Sequence, residues 1–413
     1  MSHLKMKYVL SASILLVVSA MFGGCNKKTE EVSSPAESSV IIDEPITEFQ
    51  VKLLDAAFDI AAKIPVYPHI KDRSRAQEDV VETCLKLHQV KRALDDIPRI
   101  ENWRNGSCYA DIAMICAEKG NLKEMQRYVD MAGKVAETAE DWRKDHIRIK
   151  LAQVHTLLGK TEQSKIYQTG VTSDSEIGKV ERIRARVTDE ASFAEEKKAL
   201  DALIKQGNFD IGKNALYAYA QLFDTFYDDP QRRTQIEETI KSSWIPMPID
   251  IRVKLLEQLA QSALDHADKD KALRLINETN RLIENYQWPL RFYIPMKANL
   301  MKLRIRAGDA ATARSEADAA LAMYREKSNQ EVNIYRAGTL RPLAEVYHQL
   351  GDMQTALSLY KQTVEEGMAN PNSRPRAQDL SATCCSMALN AVEPDSELWT
   401  RIQQIREGLG QPW

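Results

Sequence analysis

The 413-residue chain has little of what chemistry needs. It carries no G-x-S-x-G elbow, Walker loop, dinucleotide glycine fingerprint or H-E-x-x-H helix, which removes the commonest hydrolase, nucleotide-binding and zinc-protease frames. Its seven histidines are scattered without metal-ligand spacing, and no C-x-x-C occurs. His146 and His155 stand nine apart on one predicted helix, too far to share a metal. The adjacent acids Asp95-Asp96, Asp228-Asp229 and Glu365-Glu366 diverge from a helix or turn, so they set up no paired acid–base work. We therefore expect no enzyme, no cofactor and no metal. Net charge is small as well: 56 basic against 59 acidic residues leave −3, which draws neither nucleic acid nor an anionic membrane surface.

Cysteine is sparse and its number is awkward. Setting Cys25 aside leaves Cys84, Cys108, Cys116, Cys384 and Cys385, an odd set that cannot pair completely. Cys108 and Cys116 lie eight apart on one predicted helix, about 12 Å along its axis, beyond the roughly 7 Å a bridge tolerates. Buried free thiols are the simpler expectation, and a bridge from Cys84 to Cys108 or Cys116 is the alternative.

No apolar run is long enough to span a bilayer. The longest, Tyr8 to Phe22, falls short of the roughly 20 residues a spanning helix needs. It follows Lys5 and Lys7 and runs through Gly23-Gly24 into Cys25, the layout of a secretory signal peptide. Met21-Phe22-Gly23-Gly24-Cys25 resembles the cleavage site of bacterial lipoprotein precursors, with Phe22 where Leu, Val or Ile is usual. The resemblance implies that residues 1–24 are removed and that Cys25 is acylated, anchoring the protein in the cell envelope. Asn26 in place of the Asp that marks inner-membrane retention implies the outer membrane, facing the periplasm. Loss of residues 1–24 removes two lysines, Lys5 and Lys7, and moves the charge from −3 to −5. Residues 25–45 then form a lipidated cysteine and a Ser-, Glu- and Lys-rich tether with a root-mean-square reach of roughly 25 Å.

What the remainder, 46–413, does have is a repeat. Thr47 and Gln50 make a capping box where the ordered part should begin. In Leu340 to Thr363, the positions Leu343-Ala344, Tyr347, Gly351-Asp352, Ala356 and Tyr360 resemble the tetratricopeptide repeat: a large–small pair, an aromatic, a turn, a small crossing residue and a second aromatic. Weaker copies turn at His88, Gly120, Gly159, Gly207, Ala267, Gly308 and Glu393-Pro394. Glu101-Asn102-Trp103-Arg104 and Glu140-Asp141-Trp142-Arg143 recur 39 residues apart, with Asn102 and Asp141 suited to N-caps and the tryptophans to stapling the junctions. The fold expected is all-α, a solenoid or superhelix of about eight tetratricopeptide-like hairpins.

The resemblance implies a partner-binding groove on the first helices of the hairpins. It selects Arg341, Glu345 and His348 in the best copy, Lys302 and Arg306 in the one before, and Glu257, Gln261, Asp201, Lys205, Gln153 and Met114 earlier. A second candidate is an aromatic platform of Tyr217, Tyr219, Phe223, Phe226 and Trp244 in the widest gap between turns, where a hydrophobic seam is the alternative. Together these readings point to a membrane-anchored scaffold or adaptor for a protein or peptide partner, with glycan or peptide capture as the second possibility.

Overall fold

The computed structural model describes residues 43–413; Cys25, the leader and residues up to 42 lie outside the described residues. The first helix, α1 (Glu48–Lys63), opens on the expected capping box, with Gln50 N donating to Thr47 Oγ1 and Thr47 N donating back to Gln50 Oε1. Eight hairpins follow in chain order. They are α2 (Val66–Lys86) with α3 (Val90–Asp96), α4 (Arg104–Glu118) with α5 (Leu122–Thr138), α6 (Asp141–Leu157) with α7 (Thr161–Gln168), and α8 (Lys179–Val187) with α9 (Phe193–Lys205). Then come α10 (Phe209–Thr225) with α11 (Pro230–Ser243), α12 (Ile249–Asp265) with α13 (Lys269–Glu284), α14 (Leu290–Ala307) with α15 (Ala310–Lys327), and α16 (Asn333–Gln349) with α17 (Met353–Met368). Two more helices, α18 (Ser373–Leu389) and α19 (Ser396–Glu407), end the chain, and the described residues contain no strand.

The turns explain why the frame was legible. His88, Gly120, Gly159, Ala267, Gly308 and Gly351 all take left-handed backbone, with φ between 56° and 92°, at the close of an even-numbered helix. Glycine reaches that conformation without the Cβ penalty. Gly207 is also left-handed, at 73°, but it joins α9 to α10, two different hairpins. The turn inside the α10/α11 hairpin is instead made by Asp229, whose carboxylate accepts from Gln231 N and Arg232 N at 3.0 Å, with Pro230 opening α11. At the last turn the left-handed residue is Ala391, ahead of the expected Glu393-Pro394. Asn102 accepts from Arg104 N at 2.9 Å as expected of a cap, whereas Asp141 is the first helical residue, at φ 50°, and caps nothing. Trp103 and Trp142 meet edge to face, 5.1 Å between centroids, and so staple one junction together.

In the best repeat copy Leu343, Ala344, Tyr347, Ala356 and Tyr360 are all buried where α16 packs on α17. The same arrangement is carried along the chain: each even-numbered helix from α2 to α18 touches the next even-numbered one, while the odd-numbered helices scarcely meet each other. Helices that touch their neighbours lie on the smaller radius, so the even-numbered set forms the inner wall and the odd-numbered set the outer layer.

The array then closes. Helix α18 packs against α2, and α1 packs antiparallel along α18 in the place an outer helix would take. Gln50 Nε2 donates to Ala388 O at 2.8 Å near one end of this pair and Ser381 Oγ donates to Ala57 O at 2.9 Å further along. The ninth hairpin is therefore composite, its inner helix from the C-terminal end and its outer helix from the N-terminal end. One continuous apolar core runs across this seam, joining Leu53, Phe58 and Ile60 to Leu380, Cys384 and Met387. Helix α19 lies across the outer layer, with Arg401 bidentate on Glu365 of α17 at 2.6 and 2.8 Å and Arg406 reaching Asp59 of α1. Cys84, Cys108, Cys116, Cys384 and Cys385 are all buried free thiols.

Candidate functional site

The inner wall is laced by lateral links from one inner helix to the next. Arg104 of α4 pairs with Glu78 of α2, and Lys150 of α6 with Asp111 of α4 at 2.7 Å. Glu176, buried ahead of α8, takes His146 of α6 at 3.2 Å and Lys179 of α8 at 2.6 Å. Its carboxyl is held below the usual range by these two partners, against the upward pull of burial, the largest single effect. Arg182 of α8 donates to Asn214 of α10 at 2.5 Å, and Ser262 of α12 to Asp224 of α10 at 2.6 Å. Arg306 of α14 pairs with Asp265 of α12 at 2.9 Å; Lys302 of α14 pairs with Glu345 of α16, which also accepts from Ser386 of α18 at 2.6 Å. Arg374 of α18 reaches Asp72 of α2 at 3.4 Å and completes the circuit.

This lacing decides what the expected basic groove can do. Lys302 and Arg306 are each committed to a neighbouring carboxylate, and Glu345 holds two partners. Arg341 lies near Asp379, whose carboxyl burial pushes up to about 6 against the pull of that arginine. One guanidinium nitrogen of Arg341 and Nδ1 of His348 are buried without a hydrogen-bond partner, and burial lowers the His348 pKa. The five residues do line one stretch of inner helices, but two of the three basic groups are already neutralised within the fold. Asp201 and Lys205 fall on α9, an outer helix, because Gly207 separates hairpins instead of turning within one. Gln153 does sit on the inner α6, donating to Lys179 O at 2.9 Å, and Met114 on the inner α4.

The aromatic platform does not form. Tyr219 and Phe223 are fully buried, Phe226 is half-buried with its ring 4.9 Å from Phe193, and Trp244 is half-buried against the same core. The i, i+4 spacing that places Tyr219 and Phe223 on one face of α10 places them on the face that packs, which is the seam alternative. Tyr217 alone of the five turns to the inner wall, with the Arg182 guanidinium 4.5 Å above its ring.

That Arg182–Tyr217 pair borders an arc of the inner wall where buried polar atoms without partners face an open space. A cavity of about 520 Å³ is lined by Arg182, Tyr217, Lys254, Glu257, Gln258, Gln261, Asn299, Lys302 and Leu303, drawn from four successive inner helices, α8, α10, α12 and α14. Lys254, Gln258 and Asn299 are exposed, so the space is open to solvent. Glu257 has no ion pair among the described residues. Burial pushes its carboxyl up to about 7, and the hydrogen bond with Asn299 and the charge of Lys254 only partly oppose this. Oε1 of Glu257 and Nε of Arg182 are buried with no hydrogen-bond partner. Uncommitted buried donors and acceptors are costly in an empty fold, so this arc is the best-formed candidate binding site. Gln258 and Gln261 continue it into a smaller cavity with Gln221, Asp224 and Asp265.

No family model matches the chain, and no curated protein matches it. Among solved structures it is similar to a protein described as a circular tandem repeat protein with novel repeat topology and enhanced subunit contact surfaces. That likeness has 13% sequence identity, covers 87% of this chain and 94% of the other, and has a TM-score of 0.18. What stands is an all-α helical-repeat protein, defined by its own contacts.

Proposed function

We propose that this is a membrane-anchored docking module of the bacterial cell envelope, a lipoprotein held by an acylated Cys25 whose tetratricopeptide-like helical array receives a segment of a partner protein. The observation that carries the reading is the cavity on the inner wall, where Arg182, Glu257 and the amides of Gln258, Gln261 and Asn299 gather polar groups from four successive inner helices around one open space. Planar amide, carboxyl and guanidinium groups on neighbouring helices suit the alternating donors and acceptors of an extended chain. Exposed aromatics support a protein partner from a second direction. Tyr67, Trp142, Phe209, Phe292 and Tyr335 all stand at or near the start of inner helices, hence on one rim of the array. Exposed aromatic residues gathered on one face are a feature of protein-binding surfaces.

The test is site-specific photo-crosslinking in cells, with the crosslinker at Asn299 on the inner wall or at Lys198 on the outer layer. A discrete adduct formed from Asn299, absent from Lys198 and lost on Glu257→Lys supports docking on the inner wall. Equal adducts from both positions, or none from Asn299, would remove it. Fractionation of a Cys25→Ala strain checks the anchor separately, since release into the soluble fraction is expected.

A further inference from the structure

We infer that α1 is a clasp: it closes the array by filling the vacant outer place beside α18, and it detaches as a unit, ahead of all other helices, when the chain is pulled from its N-terminal end.

Every other inner helix with an outer partner receives it from the next stretch of chain, across a turn of a few residues. Helix α18 does not. The helix that follows it, α19, crosses to α17 and α1, and the groove on α18 is filled by a segment more than 300 positions away, as the Gln50–Ala388 and Ser381–Ala57 bonds show. The groove does not need α1 in order to exist, because α18 is also held by α16, α17 and α2. In an array whose stability is a sum of nearest-neighbour interfaces, an end element can leave without dissolving the remainder.

The occupant is fitted to the place. Leu53, Leu54, Ala57, Phe58, Ile60 and Ala61 of α1 are each at most 1% exposed. At its far end the carbonyls of Ala62 and Ile64 are held by Arg73 of α2, at 2.7 and 3.1 Å, which fixes the joint about which the helix would swing. At its near end, Asp43 accepts from Lys91 N at 2.9 Å and Glu44 N donates to His88 O at 3.4 Å. The side-chain amide of Gln89 also donates to Glu44 O, so the described residues ahead of α1 are tied to the α2/α3 turn by three hydrogen bonds. A load applied ahead of residue 43 therefore meets these few contacts to the α2/α3 turn and then α1, before any other helix of the array.

Single-molecule force measurement on the mature chain tests this, with one handle at the N-terminal end and the other on a Lys198→Cys thiol in the outer layer, far along the chain from the seam. The first transition should release about 50 Å, the ~75 Å extended length of residues 43–64 at ~3.4 Å each less the roughly 25 Å that α1 already spans, and it should re-form on relaxation before the later transitions reverse. Gln50→Ala and, separately, Ser381→Ala should lower the force of that first transition and leave the later ones unchanged. The proposal is overturned if the first transition releases well over 100 Å, meaning that the array yields as one body, or if both variants leave the first force unchanged.

Discussion

Gln50 and Ala388 are 338 positions apart and joined by a 2.8 Å hydrogen bond, side-chain amide to backbone carbonyl, between two helices of one composite hairpin. Phe58, on the same helix as Gln50, is fully buried in the core that joins α1 to α18, and the guanidinium of Arg99, just after α3, covers its ring at 4.3 Å. Phe58→Ala should cost about 3–5 kcal/mol, the range for a buried phenylalanine, read as a lower melting temperature. Hydrogen exchange should rise in α1 and in the helices packed on it, α2 and α18, while α10 and α12, which belong to a separate apolar core, keep their protection.

Two glycines should respond to alanine for different reasons. A Cβ on Gly106 of α4 would stand 2.8 Å from Val135 of α5 and 3.0 Å from Ile147 of α6, so helices must move apart to admit it. Gly106→Ala should destabilise by about 1–3 kcal/mol through overpacking. A Cβ on Gly120 meets open space, but its φ of 72° disfavours any side chain. Gly120→Ala should cost only about 1 kcal/mol. Denaturant midpoints for the two variants check the order, and Gly120→Asn, which tolerates left-handed backbone, should recover most of the smaller loss.

The same glycines show what a single sequence reveals. The hairpins were legible where the turn needs a left-handed residue, as at Gly120, Gly159, Gly308 and Gly351, because that need writes itself into residue choice. Hairpin α8/α9, whose connection has no glycine, and hairpin α10/α11, turned by Asp229-Pro230, left no such mark. Arg182 on α8 was missed for that reason, although Glu257, Gln261 and Lys302 were placed on the inner wall by their spacing from the packing pairs. Closure was not legible at all. Nothing local distinguishes α1 from an ordinary first helix, because the partner that gives it its place is α18, at the other end of the chain.

Lys302 and Glu345 face each other across α14 and α16, both mostly shielded from solvent. A lysine on an unpaired, solvated groove could be reversed without moving the melting curve; the pairing with Glu345 removes that freedom. Lys302→Glu sets two carboxylates together and should lower stability by about 1–3 kcal/mol. The exchanged pair Lys302→Glu/Glu345→Lys should recover at least half of the loss. A double-mutant cycle on thermal stability measures the coupling.

The five thiols among the described residues should be chemically silent. Burial pushes the pKa of Cys84, Cys108, Cys116, Cys384 and Cys385 upward, which removes the reactive thiolate. Native protein at pH 8 should take up no iodoacetamide at these positions over a time in which the guanidinium-unfolded chain is labelled at all five, with peptide mass spectrometry as the readout.

Glu257 ties stability to pH in a direction opposite to that of a salt-bridged acid. Its folded pKa is raised, to about 7 from the ordinary 4.5, so the folded state binds a proton that the unfolded chain has released between these two values. The contribution of the neutral carboxyl is fully present below about pH 4.5 and is lost as pH rises through 7. At pH 8.5 the burial of an unpaired charge should cost on the order of 3 kcal/mol, from about 2.5 pKa units at about 1.4 kcal/mol each. Glu257→Gln keeps the shape and removes the proton equilibrium. It should leave stability nearly unchanged at pH 4.5 and raise it at pH 8.5, so that the variant's melting temperature depends less on pH than that of the parent. A variant equally stabilised at both pH values would show that the carboxyl does not titrate in this window, and a partner bound at the cavity should narrow the difference by supplying the missing donor to Oε1.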